Sequence, residues 1–331
     1  MKTIRDIEKS IDFSALILIL SVSAVIAYGY FNRVHTPNLE SRLELHNQII
    51  AGTAPSPYRY RILVPFIGEV LTQGLSVVFS GKAAFLLAYA IVDLLSVFFL
   101  MVVLFFWLKT WFTRDQALIG VLFVAGTIPI ALQDHYFQPW SLVEAGLFSL
   151  ALVAIHRKHY WLLALLVVLA SLNRETALFI PLAFLLTIDI VSLLNARSKS
   201  EWQPILAFSG LLLIWAAVYW GLRYSLGSTS YIGTVEGLLG SLARNTTKSR
   251  LFFTFVNGSL FLGGLWVFAL LGFRYAPGFI KRVALIVPLY LLSVAVWGAW
   301  NEVRLLMPLY PVLVPLGLSL LYPQRTKAVA A

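Results

Sequence analysis

The chain contains no cysteine, and only 12% of its 331 residues are charged. The absence of thiols excludes a disulfide framework and a thiolate metal site. The scarcity of charge, together with 60% apolar residues and a mean hydropathy of +0.84, excludes an ordinary soluble domain. Apolar runs in lipid must be helical, because lipid offers no hydrogen-bond partner to an open backbone. The composition therefore predicts an all-α, polytopic transmembrane helix bundle.

Acidic residues are also scarce, with 15 Asp and Glu against 25 Lys and Arg, which gives a formal charge of +10. In a membrane protein this excess collects in cytoplasmic loops beside anionic lipid, so no nucleic-acid partner is expected. The sequence has no Gly-rich phosphate loop and no Cys/His metal cluster. A divalent cation could bind at paired carboxylates, although no spacing requires one. No cofactor is therefore assigned.

Apolar runs predict about ten spans within one membrane domain at residues 1–331. The first span is Phe13–Tyr30. The others are expected at 83–108, 116–133, 139–155, 160–172, 176–193, 203–222, 251–272, 283–299 and 305–322. Between the first two, residues 62–80 carry a polar stripe at helical spacing that includes Glu69. This pattern predicts an amphipathic helix that lies in the membrane interface and does not cross it.

The basic links between spans set the expected topology. If 62–80 does not cross, the short links at 156–159, 196–201 and 273–282 all fall on the cytoplasmic side, as the positive-inside rule requires. Both termini are then cytoplasmic. The first outer loop, 31–82, contains the interfacial helix, and the long loop 223–250 lies on the same outer side.

One charged break interrupts the apolar runs sharply, at the stretch Asn-Arg-Glu-Thr of residues 173–176. Residues 161–172 and 177–188 on either side carry no charge. A charge at membrane depth costs at least about 2.5–3.5 kcal/mol on insertion scales, so it is a functional-site hypothesis by default. The alternative is a tight outer turn wetted by solvent.

Three further polar groups are predicted on the same outer face. They comprise Tyr58, Arg59, Tyr60 and Arg61 before the interfacial helix, Asp134, Gln138 and Glu144 at the start of one span, and Glu302 and Arg304 at the start of the last span. Arginine binds phosphate oxygens through two parallel hydrogen bonds, so the tyrosine–arginine run suits a lipid phosphate. The alternative is an aromatic-belt anchor with snorkelling arginines.

Two of these groups are expected to meet across the bundle. Glu302 and Arg304 could pair with Arg174 and Glu175, either within a binding site or as a purely structural ion pair between helices. Glu144 lies about one turn inside an apolar run and needs a partner for its charge.

Four short motifs in this layout resemble segments of poorly characterised bacterial members of the GT-C superfamily of integral membrane glycosyltransferases. The motifs are PYRYRILVP, QPWSLVE, NRETALFIP and NEVRLLMPLYP. The resemblance implies transfer of a sugar from a polyprenyl-phosphate donor to a glycan, lipid or protein acceptor. It also implies a multi-pass protein of the bacterial inner membrane that acts on the extracytoplasmic face.

The family's catalytic acid usually lies in the first outer loop and is often an Asp. Here residues 31–61 contain no Asp, and their only acids are Glu40 and Glu44. Transfer to a hydroxyl needs a base within hydrogen-bond reach, for which Glu44 or Asp134 is expected.

The leaving lipid phosphate gains charge, which arginines placed in a water-poor site would stabilise. The expected substrate-binding residues are Tyr58, Arg59, Tyr60, Arg61, Gln138, Glu144, Arg174, Glu175, Glu302 and Arg304. Among these, Arg174 is expected to meet a phosphate while Glu175 holds Arg174 or Arg304. Membrane lipid and the prenyl tail would lie against the apolar side of 62–80.

Two other classes of function stay open. Charges within spans also suit a transporter or flippase for a lipid-linked or anionic solute, although no paired broken helices occur in two halves of the sequence. A non-catalytic GT-C-like subunit of polysaccharide assembly is compatible with a first loop that lacks Asp. A polar site near the midplane would favour a transporter, whereas one outer cavity open sideways to lipid would favour a transferase.

Overall fold

The computed structural model describes residues 12–132, 140–189, 202–227, 243, 246–298 and 302–323. Within these ranges the chain is helical and contains no β-strand. Six helical stretches are long and apolar enough to cross a membrane. They are Phe13–Ile50, Gly81–Leu108, Arg114–Leu132, Gln203–Leu226, Gly278–Trp297 and Val303–Leu321. The expectation of an all-α chain is thus confirmed for the described residues, and six of its helical stretches are suited to a membrane.

We number the described α-helices in chain order. They are α1 Phe13–Tyr30, α2 Leu39–Ile50, α3 Leu63–Leu75, α4 Gly81–Leu108, α5 Arg114–Leu132, α6 Trp140–His156, α7 Tyr160–Asn173, α8 Phe179–Thr187, α9 Gln203–Leu226, α10 Lys248–Phe261, α11 Leu265–Gly272, α12 Gly278–Ala284, α13 Ile286–Trp297 and α14 Tyr310–Leu321. Short 3₁₀ turns precede α8 at Glu175–Leu178 and α14 at Val303–Leu309.

Helix α1 does not end at the predicted loop boundary. It continues through a π-helical turn, Phe31–His35, and a 3₁₀ turn, Thr36–Asn38, directly into α2. Much of the expected first outer loop is therefore helical. Two of its side chains, His35 and His46, are buried against α4 and α3. This polar segment therefore packs against the bundle on one side.

Helix α3 occupies the N-terminal part of residues 62–80, the stretch predicted to be an interfacial helix. Its 13 residues span about 20 Å, which is less than the ~30 Å hydrocarbon thickness of a bilayer. Glu69 points toward α2, where it pairs with His46, while Phe66 and Val70 are 52% and 66% exposed. Large apolar side chains thus face outward, while the buried side of the helix is formed by Val64, Pro65 and Gly68 and not by the polar stripe as a whole.

The 28-residue helix α4 runs through the centre of the core and packs against α1, α3, α5 and α6. At its far end, the Trp107 indole donates to the carbonyl of Pro311 at 2.8 Å and thereby joins α4 to α14. Helices α11 and α14 approach so closely at Gly272 that an added Cβ would lie 2.0 Å from the Leu316 carbonyl oxygen. Helix α14 is thereby held against both α4 and α11.

Candidate functional site

The charged break at residues 173–176 is a real interruption of the helices. Helix α7 ends at Asn173, Arg174 is extended with φ −164° and ψ 150°, and a 3₁₀ turn then leads into α8. The Asn173 side-chain amide donates to the carbonyl of Trp140 at 3.0 Å. Asn173 is only 1% exposed and Arg174 only 5% exposed. The alternative of a solvent-wetted turn is therefore wrong.

Arg174 pairs with Glu144 on the first turns of α6, with Nη1 2.5 Å from Oε2. The Thr176 hydroxyl donates to the other oxygen of the same carboxylate. Both members of this ion pair are buried. The expectation that Glu144 requires a partner inside its apolar run is confirmed.

Glu175 turns to a different arginine. Its Oε2 accepts from the Nε of Arg61 at 3.2 Å, and its Oε1 lies 3.8 Å from Nη2 of Arg223 on α9. The prediction that Glu175 holds Arg174 or Arg304 is wrong. Successive side chains of an extended backbone point to opposite sides, so Arg174 reaches α6 while Glu175 reaches the first loop.

Arg304 is 3% exposed and pairs with Glu302, two residues earlier. Its Nη1 also lies 3.4 Å from the Ser141 hydroxyl on α6. The predicted crossing pairs of Glu302 and Arg304 with Arg174 and Glu175 do not form. The 3₁₀ turn that begins at Val303 instead lets Arg304 fold back on its own neighbour.

These side chains meet at one end of the bundle, and we refer to them as the arginine cluster: Arg61, Arg174 and Arg304 with Glu144, Glu175 and Glu302. The Arg61 guanidinium lies 5.6 Å from the Trp140 ring, beside the turn of α6 that carries Ser141 and Glu144. The hydroxyl of Tyr290 on α13 interacts electrostatically with Glu144 and with all three arginines. Four separate parts of the chain thus converge on one largely buried, charged site, and α13 borders it through Tyr290.

Part of the hydrogen-bonding capacity of the arginine cluster is unused. Among the described residues, Nε of Arg174, Nε of Arg304 and the Tyr290 hydroxyl have no hydrogen-bond partner. A cavity of about 10 Å³ beside Glu144, Thr176 and Tyr290 has roughly the volume of one water molecule. Buried donors without partners are costly. The cavity can therefore hold one water molecule beside Glu144 and Tyr290, and the two Nε donors stay available to a polar group.

Two residues predicted to bind substrate, Arg59 and Tyr60, contact the C-terminal end of helix α9. Arg59 donates to the carbonyl of Ala54 at 2.9 Å and to that of Leu226 at 3.1 Å. The Tyr60 hydroxyl donates to the carbonyl of Gly227 at 2.8 Å. Tyr58 packs its ring against Trp140, with centroids 5.7 Å apart. Of this run, Arg61 alone has an ion-pair partner within the arginine cluster.

The predicted base Glu44 lies on α2 with its side chain exposed, and it accepts from Gln48 at 3.3 Å. The other predicted base, Asp134, and the predicted ligand Gln138 lie outside the described residues. The long loop 223–250 is likewise described only in part, and its first residues, Arg223–Leu226, belong to α9.

A second buried polar group was missed by the sequence reasoning. His46 Nε2 lies 2.8 Å from Oε2 of Glu69, and its Nδ1 lies 2.8 Å from the Tyr89 hydroxyl. A carboxylate only accepts, so in the neutral ring Nε2 donates to Glu69 and Nδ1 accepts from Tyr89. The Gln73 amide holds the other Glu69 oxygen at 2.7 Å. Glu69 is thus a fixed carboxylate that remains 27% exposed at its side chain.

Asp93 lies further along α4, and His35 of the π-helical turn is 2.6 Å from its carboxylate. Both side chains are almost completely buried. An acid twelve residues into a long apolar helix is the sequence signal that could have located this pair. Across the ranges that the structure covers, no group of three or more His, Asp or Glu side chains is arranged to hold a metal ion.

Comparisons of the chain with protein-family models, curated proteins and solved structures gave no match.

Proposed function

We propose that this protein is a membrane glycosyltransferase of the GT-C type, which takes a sugar from a polyprenyl-phosphate donor. The observation that supports this proposal is the arginine cluster, in which three arginines are 3–6% exposed at one end of a membrane bundle. Their donors are fixed before any ligand arrives, and fixed donors in a water-poor site stabilise developing negative charge strongly.

The charge balance of the cluster suits an incoming phosphate. The three arginines are matched by three glutamates, and Arg223 beside Glu175 adds one further positive charge. Nε of Arg174 and Nε of Arg304 have no internal hydrogen bond for a phosphate to displace, but both atoms are buried and the cavity beside Glu144 has room for one water molecule, so in this proposal the cluster opens when the donor binds. We assign these two residues and Arg61 to the donor phosphate, with Glu144, Glu175 and Glu302 orienting them.

The reaction in this proposal is a single inverting displacement. The acceptor hydroxyl oxygen attacks the anomeric carbon, the bond from that carbon to the phosphate oxygen breaks, and polyprenyl phosphate leaves with the electron pair. The hydroxyl proton passes to a carboxylate base. Glu44 and Asp134 keep this role from the sequence, and the structure adds Glu69, which His46 holds at 2.8 Å.

The prenyl tail would lie along the outward side of α3. Phe66, Ile67 and Val70 are 47–66% exposed there, although they are large and apolar. Such a surface is costly in water and is satisfied by lipid or a prenyl chain. The helix starts two residues after Arg61, so a tail on α3 would bring its phosphate toward the arginine cluster.

We further propose that the shorter apolar helices complete about ten spans, with both termini in the cytoplasm of a bacterial cell. This arrangement puts the arginine cluster on the extracytoplasmic face. The acceptor would then be a glycan, lipid or protein on that face.

The proposal is tested with the full chain in proteoliposomes that contain a polyprenyl-phosphate-linked hexose. We expect release of polyprenyl phosphate, and at least tenfold weaker donor binding in Arg61→Lys and Arg304→Gln variants. Arg33→Gln is the matched control, because Arg33 is exposed and lies outside the arginine cluster. Donor binding that is unchanged in both cluster variants would reject the site.

The same assay separates the other classes of function. Movement of the intact donor between leaflets without its cleavage would identify a flippase. Donor binding without cleavage or movement would identify a non-catalytic subunit. Full activity of a Glu44→Ala, Asp134→Ala double variant would exclude both residues as the base, and loss of activity in Glu69→Gln alone would assign that role to Glu69.

A further inference from the structure

A second cavity lies at the opposite end of α6 and α7 from the arginine cluster. Trp140 and Glu144 open α6 at the cluster, whereas His156, its last residue, lines this cavity. Helix α7 likewise begins at Tyr160 on the cavity wall and ends at Asn173. The cavity volume is about 560 Å³, within the range of small-molecule sites. The two sites are therefore separated by the length of these helices.

The cavity has an apolar floor and a charged mouth. Ile155 and Phe184 are each 4% exposed, and Phe279 and Tyr160 line the walls beside them. Lys158, Arg282 and Asp189 are exposed at the rim, which carries two cations and one carboxylate. Such a division suits a molecule with one apolar part and one anionic part.

The backbone fixes the position of one of these cations. Lys158 has φ of +58°, a left-handed conformation that is uncommon for residues other than glycine. The chain turns there at the end of α6, and the amide of His159 donates to the Ala154 carbonyl at 2.9 Å. Arg282 is held across the mouth by a hydrogen bond from Nη1 to the Thr187 carbonyl at 3.2 Å. The left-handed residue and the His159 hydrogen bond form a common C-terminal cap of a helix, which sets the direction of the chain at the cavity mouth.

The surface beside the cavity is apolar and exposed, as a lipid-facing surface would be. Trp161, next to the lining residue Tyr160, is 92% exposed, and Leu165 one turn further along α7 is 54% exposed. Exposed tryptophan marks the level of the lipid headgroups, and exposed leucine beyond it marks the acyl region. The mouth of the cavity thus lies at headgroup depth, where a phosphate and an acyl chain are both within reach.

We propose that this cavity binds an anionic phospholipid, whose phosphate contacts Lys158 and Arg282 and whose acyl chain lies against Ile155, Phe184 and Phe279. A free anion would make no use of the apolar floor. A neutral lipid would leave the net positive charge of the rim, two cations against one carboxylate, without a counterion. Under the positive-inside topology, the lipid belongs to the cytoplasmic leaflet.

The test is native mass spectrometry of the full chain with phosphatidylglycerol, with phosphatidylethanolamine and with inorganic phosphate as separate additions. We expect retention of phosphatidylglycerol in preference to phosphatidylethanolamine, and an affinity for it about tenfold lower in the Lys158→Gln, Arg282→Gln double variant. The Arg157→Gln, Arg274→Gln double variant removes the same charge from exposed residues outside the cavity lining and should retain the lipid.

A Lys158→Gly variant guards against a folding defect. Glycine adopts positive φ without strain, so this variant should fold at least as well as the native chain while it loses lipid affinity. If both double variants lost the same affinity for phosphatidylglycerol, the binding would depend only on general surface charge, and the proposal would be overturned. Displacement of the lipid by millimolar inorganic phosphate would assign a free-anion site instead.

Discussion

Arg174 and Glu175 are neighbours in sequence but serve different partners. Arg174 pairs with Glu144 on α6, whereas Glu175 pairs with Arg61 from the first loop. The extended backbone at Arg174 separates the two side chains and makes the tetrapeptide a junction between three parts of the fold. At the scale of single residues, this junction determines where charge is held within the bundle.

The Arg174–Glu144 pair leads to a stability prediction. A Glu144→Ala variant leaves the Arg174 charge buried without its partner, and we expect the free energy of unfolding to fall by about 3–5 kcal/mol. Denaturant unfolding in mild detergent measures this change. The control is Glu40→Ala, which removes the exposed Glu40–Lys82 pair and should leave stability almost unchanged. Similar losses in the two variants would contradict a special cost of the buried pair.

At the scale of elements, helix α9 packs against α7 and α8 but buries little of its own surface. Leu211 is its only residue described as buried, and its C-terminal end is fixed by Arg59 and Tyr60. Arg223 adds a contact 4.3 Å from the Tyr60 ring. These contacts make the Arg59–Tyr60 turn a strap across the end of α9. Helix α9 itself lies beside the arginine cluster, because its Arg223 is 3.8 Å from Glu175.

The strap predicts a change in local dynamics. Replacement of Tyr60 by Phe removes the hydrogen bond to Gly227 but keeps the ring, so amides at the C-terminal end of α9 should exchange faster with deuterium. Tyr224→Phe on the same helix is the control, because Tyr224 is 94% exposed. Weaker donor binding in Tyr60→Phe with unchanged exchange would instead assign Tyr60 to the substrate.

At the scale of the whole molecule, two polar regions occupy opposite ends of a long apolar core. The arginine cluster lies where α6 begins and α7 ends, and the larger cavity lies where α6 ends and α7 begins. Helix α4 runs between them through the centre of the bundle. This polarity matches a protein that faces two different membrane surfaces.

The absence of cysteine makes that polarity directly testable. Single cysteines at Ser41 and Arg157, both exposed, should react with a membrane-impermeant maleimide from opposite sides of the membrane. We expect Ser41→Cys to react in intact cells and Arg157→Cys only after permeabilisation. Labelling of both positions from one side would contradict the non-crossing assignment of 62–80.

The sequence alone determined the class of the fold and the places where apolar runs break. The breaks at residues 173–176 and at Glu302 were visible because a charge inside an apolar run is rare and costly. The need of Glu144 for a partner followed from the same reasoning. Composition and spacing are sufficient for such conclusions, since lipid imposes helices on any apolar run that crosses it.

Only the tertiary structure decided which charges meet. The partner of Glu175 depends on the extended backbone at Arg174, and that of Arg304 depends on a 3₁₀ turn, neither of which has a distinct sequence signal. The pairing of His46 with Glu69 joins α2 to α3 through packing around Tyr89. Ion pairs between helices form where rotation and packing bring side chains together, and those depend on the whole bundle.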